Sequence, residues 1–490
     1  MGLIRGSRLL AWLAAIAALL TALTVRPAVA ADAPTMTKLS LGADQFKLTD
    51  TSSVSAANTL YTNYLTSHAS LSDVVTTDLT RNSAGASDPW LNLRSMRSCA
   101  GTETKALPPV GTKTAWCWSQ THGDDTNPHW WPQGMSSTGT ADGADGTIQG
   151  RHVLAVAWHY RTLSDETSTG CRTDNLLKLS LLDRDTGKYR HVLLAEPTGS
   201  GTNFRFVTGH GGGIVWYANY LYVTDTANGI RVFDLNKLAK VDTYGSGVSS
   251  YGIDGAGRSS ACGYPYVLPQ VHYYKQAGTP SDCSGHSIDP EQLCFSWLSL
   301  DKTGGAPYKL VAGEWQGYAD GGRVVRYQLN PAGAGTYPGL LNMSGGRTVI
   351  EDAWAASRYR GLQGGMTWTD GGGVLNFAFH KGCGTKPGVY SHTWVGDTRA
   401  GTSCGAGGNW AAGPPQALSY WPKLDADPVD EVWGLTEGIC AGSTLRAAHP
   451  EFTAATEEGD ACLGYQGAGD LSLRTVFSVG FTDPAVQDRH

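Results

Sequence analysis

Apolar residues recur along most of this chain in short runs broken by small and polar turn residues, not at the three-to-four spacing of a helix. Residues 209–238 (GHGGGIVWYANYLYVTDTANGIRVFDLNKL) show the pattern best. Ile214, Val215 and Trp216 follow three glycines, Ala218 and Asn219 turn the chain, residues 220–224 are aromatic or β-branched, Asn228 and Gly229 turn it again, and residues 230–235 alternate. The pattern predicts three short strands in an antiparallel meander. A lone meander is marginal in water, so it must pack on copies of itself or on another layer.

The pattern recurs, giving five units with an inner, a middle and a third segment each. The first runs from Pro132, Gln133 and Gly134 through 153–159 (VLAVAWH) to 176–182, and 209–238 is the second. The third takes Pro269, Gln270 and Val271, then 310–314 (LVAGE) and 323–329 (RVVRYQL), with an extra strand at 294–300. The fourth takes 362–365, 374–380 (VLNFAFH) and 389–394; the fifth takes 415–418, 432–437 (VWGLTE) and 444–449. Fourth strands are expected at 190–194, 348–353 and 473–479, the last completing the final unit. Repeated four-stranded antiparallel units predict an all-β chain folded as a single β-propeller, five blades by this count, with six or seven left open. A β-sandwich with a second domain also has many short strands but does not account for similar units. Residues 31–115 read as an N-terminal cap with a short helix near 54–75, and 116–490 as the propeller.

In such a fold the inner-strand starts and the middle-strand ends meet on one face, so the repeats map a site. The starts are Gln133, His210, Gln270, Gln363 and Gln416; the ends are His159, Asp225, Glu314, His380 and Glu437. Amides at the first set offer donors and acceptors to a ligand, or to each other. Titratable groups at the second suit sugar hydroxyls, a cation or acid–base work, although strand ends are also simply wet. Trp315, beside Glu314 in a glycine-flanked turn, is expected in solvent, where its face suits a pyranose ring.

Composition sharpens this picture. With 63 Gly, 16 Trp and 21 Tyr against 16% charged residues in 490, turn-rich β-structure is favoured. A net charge of -6 without a basic block gives no support for nucleic acid as a partner. Arg5 and Arg8, an apolar run at 9–23, and Ala28, Val29 and Ala30 predict a signal peptide over 1–30, hence a secreted, extracellular chain without a membrane span. Ten cysteines then predict disulfides, by local pairing Cys99–Cys117, Cys283–Cys294, Cys383–Cys404 and Cys440–Cys462, leaving Cys171–Cys262. No metal spacing is met: His122, Asp124, Asp125 and His129 read as a polar turn, and 142–146 (DGADG) falls short of a calcium loop. No cofactor is expected, and calcium has no motif to support it. His210 with the three glycines after it is similar to a lipase oxyanion motif, but without a nucleophile elbow the glycines are better read as letting inner strands crowd together.

At 210–235, 270–273 and 418–421 the sequence resembles exported β-propeller proteins of high-GC actinobacteria such as Streptomyces. Some of these look like lectins, and the resemblance implies carbohydrate recognition. Five-bladed glycoside hydrolases are the other comparison, but they place Asp and Glu at inner-strand positions that here are Gln and His. The reading is therefore a secreted propeller binding an extracellular glycan or cell-surface ligand, with a partner in a secreted complex left open. The alternative is a carbohydrate-active enzyme on the same face. As a hydrolase it would use a pair among Asp225, Glu314 and Glu437; as a lyase, His210 or His159 as base. A protein–protein scaffold is the third reading.

Overall fold

The computed structural model describes residues 35–107, 112–141, 145–243, 250–285, 287–316, 322–332, 338–357, 361–369, 373–383, 386–389, 392–395, 398–401, 415–422, 430–452 and 467–481. The expected signal peptide lies outside them. The chain is all-β with a few short helices. Its strands form antiparallel units that follow one another along the chain, the first two of them joined at their outer strands by a short parallel pairing of residues 193–195 with 267–269. Sheet I is Trp130–Ser137, Val153–Tyr160, Leu177–Asp183 and Lys188–Thr198. Sheet II is Ile214–Tyr217, Tyr220–Asp225, Gly229–Asp234 and Tyr266–Gln276. Sheet III is Trp297–Asp301, Tyr308–Gly313, Arg323–Leu329 and Ile350–Ser357. Sheet IV is Leu362–Thr369, Leu375–Cys383 and Lys386–Val389. Sheet V is Pro415–Trp421, Asp430–Thr436, Thr475–Phe481 and, from the other end of the chain, Thr112–Cys117.

Most of these strands are buried along their whole length instead of alternating; Val153–Tyr160 has no exposed position. The cause is packing on both faces. One apolar cluster joins sheets I and II through residues such as Leu179 and Trp216, another joins II and III through Tyr222 and Leu310, and a third joins III and IV through Trp297 and Phe377. Met366 and Val432 lie in a cluster between IV and V, and Trp158 and Trp433 in one between V and I, which returns to the start. The first strands of the sheets approach one another in the same cyclic order.

Glycine makes that approach fit. A methyl on Gly134 would lie 2.6 Å from the Gly211 carbonyl oxygen of sheet II's lead-in, and one on Gly213 would lie 2.5 Å from the Leu298 nitrogen of sheet III. The same construction at Gly364 meets the Gln416 carbonyl at 2.8 Å. Between sheets V and I the Ser419 hydroxyl donates to Ser137 Oγ at 3.2 Å.

The N-terminal segment covers outer edges, which open sheets must protect. Thr35–Lys38 pairs with Ile350–Ser357, Leu48–Asp50 with Tyr266–Gln276, and Arg94–Ser95 with Lys188–Thr198. The helix expected near 54–75 is two: Val54–Asn63, and Leu71–Thr76, whose start is fixed by a Ser70–Asp73 capping box. Three expected disulfides are present, Cys99–Cys117, Cys171–Cys262 and Cys283–Cys294. Cys440 is also disulfide-bonded, whereas Cys404 and Cys462 lie outside the described residues. No described helix is long and apolar enough to cross a membrane.

Five strand assignments need correction. Of the segment at 389–394, only Val389 is in sheet IV; 392–394 lie in His392–Val395, which pairs with Thr398–Gly401. Residues 269–272 belong to the fourth strand of sheet II, and the extra strand read at 294–300 is the first strand of sheet III, Trp297–Asp301. Residues 444–449 form a helix, Ser443–Ala448, because STLRAA has better helix than strand formers; Thr475–Phe481 is the third strand of sheet V. The expected outer strand at 473–479 is thus internal, with Thr112–Cys117 and then Arg97–Ser98 outside it, so the cap boundary at 115 falls inside a sheet V strand.

Candidate functional site

Three of the glutamines read from the sequence owe their direction to β-bulges. The register slips between Pro132 and Met135, between Leu362 and Gly364, and between Pro415 and Leu418, so Gln133, Gln363 and Gln416 lie outside the ladder register, within the bulges of their first strands, the first with Gly134 and the last with Ala417. A bulge bends the strand and re-aims the side chain of its extra residue. Pro132 and Pro415 have no N–H to give to the ladder. Gln270 sits at a fourth slip, between Val232 and Phe233, but on the outer strand of sheet II, where its Oε1 accepts from Arg231 at 2.8 Å. It is not an inner-strand start; that position in sheet III belongs to Ser296.

First-strand starts and second-strand ends converge on one cavity of about 680 Å³. Gln133, His210, Ser296 and Gln363 line it from the starts, and His159, Asp225, Trp315 and Glu437 from the ends. Gln416 is behind this lining and donates to Glu437 Oε1 at 2.6 Å, while Gln133 Nε2 donates to Oε2 of the same carboxylate. Part of the amide ring is therefore satisfied internally. Trp315 is half-buried and borders the cavity, its backbone N–H donating to Ser296 Oγ at 2.9 Å. Trp131, one of the aromatic residues close to these positions in the sequence, is in the same lining, and sequence reasoning missed Arg161, Asp174 and Asn175 there. The last two come from the loop between the second and third strands of sheet I, where Asn175 takes a left-handed φ of 61°.

The carboxylates differ in their freedom. Asp225 accepts from Arg231 at 3.0 and 3.2 Å, from the Tyr273 hydroxyl at 2.5 Å and from Asn228 at 2.8 Å. Burial and the nearby Asp225 charge raise the Tyr273 hydroxyl pKa despite Arg231. Glu314 is fully engaged: Arg323 Nε and Nη2 each reach it at 2.7 Å, and the N–H groups of Cys294 and Arg323 donate to it at 2.9 and 3.0 Å. It is a buried structural ion pair and does not line the cavity. The side chain of His380 lies outside the described residues; its backbone pairs with Gly364.

His159 and His210 lie together, ring centroids 4.4 Å apart and planes tilted by 41°. His159 Nδ1 donates to the His210 carbonyl oxygen at 3.2 Å, which leaves Nε2 as the unprotonated nitrogen. Burial, with His210 next, holds His159 well below the ordinary imidazole range. His210 is exposed at the cavity, yet the protein around it lowers it to about 4 against the opposing charge of Asp174. Both rings are neutral at pH 7 and offer lone pairs. Among the described residues, no group of three or more His, Cys, Asp or Glu is placed to hold a metal ion.

No protein-family model matches the sequence, and a search of curated proteins finds no match.

Proposed function

We propose that this chain is a secreted five-bladed β-propeller that binds an extracellular glycan in the 680 Å³ cavity. The cyclic packing of the sheets and the closure of sheet V by the two ends of the chain support the propeller reading. One observation carries the function: amides, carboxylates, neutral imidazoles and a half-buried tryptophan converge from neighbouring sheets on one concave surface. Sugars present hydroxyls that need both donors and acceptors, and C–H faces that stack on rings. Gln363 and Asn175 supply both roles, His210 and Asp174 accept, and Trp315 offers the face.

Binding is favoured over hydrolysis by the state of the carboxylates. Glycoside hydrolysis needs a pair free to exchange protons with substrate. Glu314 is locked to Arg323, Asp225 to Arg231 and Tyr273, and Glu437 accepts from Gln133 and Gln416, so none of the three candidate carboxylates is free to exchange protons with a substrate. A lyase is the second reading, favoured by the unprotonated Nε2 of His159 beside the cavity.

A glycan array run beside reducing-sugar and unsaturated-product assays separates the readings. Binding without product release is expected. Trp315→Ala and Gln363→Ala should each weaken binding at least tenfold, about 1.4 kcal/mol, with unchanged melting. Unchanged affinity in the double variant would sink the site assignment, and an unsaturated product lost in His159→Gln would establish the lyase.

A further inference from the structure

A second cavity, about 380 Å³, lies between the outer strands of sheet I and the N-terminal segment, and its chemistry differs from the first. Lys178 reaches it from the third strand of sheet I while only 2% exposed. Its ammonium lies 4.2 Å from the Trp130 ring centroid, 5.2 Å from that of Trp158 and 5.5 Å from that of Tyr264. It has neither a hydrogen bond nor an ion-pair partner among the described residues.

The nearest carboxylate is already occupied. Asp124 takes Arg94 Nη1 on both oxygens, at 2.5 and 2.6 Å, the Tyr189 hydroxyl at 2.7 Å and His191 Nε2 at 3.2 Å. Arg190, also on the cavity wall, donates through Nη2 to the Thr77 carbonyl at 2.8 Å, but its buried Nε and Nη1 have no partner. Asp88 at the rim is tied to the Trp90 N–H at 3.1 Å, and His122 to Ser119 at 3.0 Å. Three basic side chains thus face two carboxylates, both engaged, and neither Lys178 nor Arg190 is paired with either of them. Aromatic faces stand around it, with Trp90, 63% exposed, at the mouth.

We propose that this cavity is a second ligand site that takes a small organic anion, a carboxylate borne on a ring, with the carboxylate on Lys178 and the ring against Trp130 and Tyr264. A buried ammonium without a counter-ion is costly, and a ligand carboxylate supplies the missing charge. The aromatic walls favour a flat or pyranose ring over a bare ion. Trp130 and Trp131, adjacent in one strand, serve different cavities because successive side chains alternate. The proposal does not depend on glycan binding in the first cavity.

Burial holds Lys178 well below the ordinary lysine range, Asp124 pulling it up and Arg94 and Arg474 pushing it further down. His191 and His122 are lowered too, so neither brings a charge at pH 7. Binding of an anion should then be accompanied by uptake of a proton onto Lys178.

The test is titration calorimetry of the full chain with glucuronate, benzoate, glucose and inorganic phosphate, in buffers of different ionisation enthalpy. Glucuronate or benzoate should bind with proton uptake, at least tenfold more tightly than glucose, and the better of the two identifies the ring. Lys178→Met should weaken that ligand at least tenfold and leave binding in the first cavity unchanged; Trp90→Ala should weaken it about threefold. Equal binding of glucuronate and glucose, binding of phosphate alone, no binding by any carboxylate at millimolar concentration, or unchanged affinity in Lys178→Met would overturn the proposal. Should Lys178→Met not fold, absence of proton uptake in the unaltered protein overturns it equally.

Discussion

Glu314 is where a functional and a structural role give opposite forecasts. It is 1% exposed, and its oxygens take both available edges of the Arg323 guanidinium and two backbone N–H groups. The remaining Arg323 donors hold the carbonyls of Asp289 and Gln292, so the pair pins the loop that carries Cys294. Removing the carboxylate strands a guanidinium in the interior at about 3–5 kcal/mol. The two N–H groups left without an acceptor add about 1–3 kcal/mol each. Against a total stability of about 5–15 kcal/mol, Glu314→Ala should unfold at far lower urea or fail to fold. Glu314→Gln keeps one acceptor oxygen but not the charge and should lose about 3–5 kcal/mol, less than Glu314→Ala, measured by urea denaturation followed through tryptophan fluorescence. Its glycan affinity should equal that of the unaltered protein. Glu314→Leu with Arg323→Met should be less destabilised than Glu314→Ala, since no unpaired charge remains. A Glu314→Gln variant that melts normally but loses ligand affinity a hundredfold would refute the reasoning and place Glu314 on the ligand.

Two further outcomes follow from geometry and charge. Gly213→Ala should cost at least about 3 kcal/mol, the upper end of overpacking, because its methyl meets the backbone of Trp297 and Leu298 at 2.6 and 2.5 Å. Gly255→Ala, with nothing within 4 Å, is the control, and equal thermal melts for the two would contradict the crowding argument. His159 and His210 stay neutral in the fold while unfolded imidazoles protonate near 6.5, so their stabilising contribution is whole above that pH and is lost as pH falls toward about 4. Imidazole proton shifts of His210 titrating near 6.5 in the folded protein would contradict this.

The repeat was legible in the sequence because the middle strands are nearly continuous apolar runs with titratable ends, and those ends lead to the cavity at His159, Asp225 and Glu437. What misled was the Pro-Gln dipeptide. It marks a bulge, and a bulge occurs at Gln270 on an outer strand as well as at Gln133 and Gln416 on inner ones. Burial on both faces removes the alternation that would distinguish the two positions. Glu314 carried no local sign that Arg323, nine positions on, would claim it. Asp174 and Asn175 lie in a polar loop of ordinary composition, and only the fold brings them to the cavity. Pairing of Thr112–Cys117 with Thr475–Phe481 is a contact between chain ends that no window of sequence contains.

That last pairing sets the order in which the protein can be made. A chain that emerges N-terminus first displays Thr112–Cys117 early, and Cys99–Cys117 can close at once across a short loop. Its sheet partner appears only after all the strands of sheets I to IV. Until then sheet I has one face without the tryptophans of sheet V, and every sheet between them must wait in an open arc. Such long-range closure makes for slow folding, and the unfinished arc is the state most exposed to aggregation or to a protease. Once the two ends meet, neither can leave without parting the last sheet, so the slow step of synthesis becomes the latch of the finished molecule.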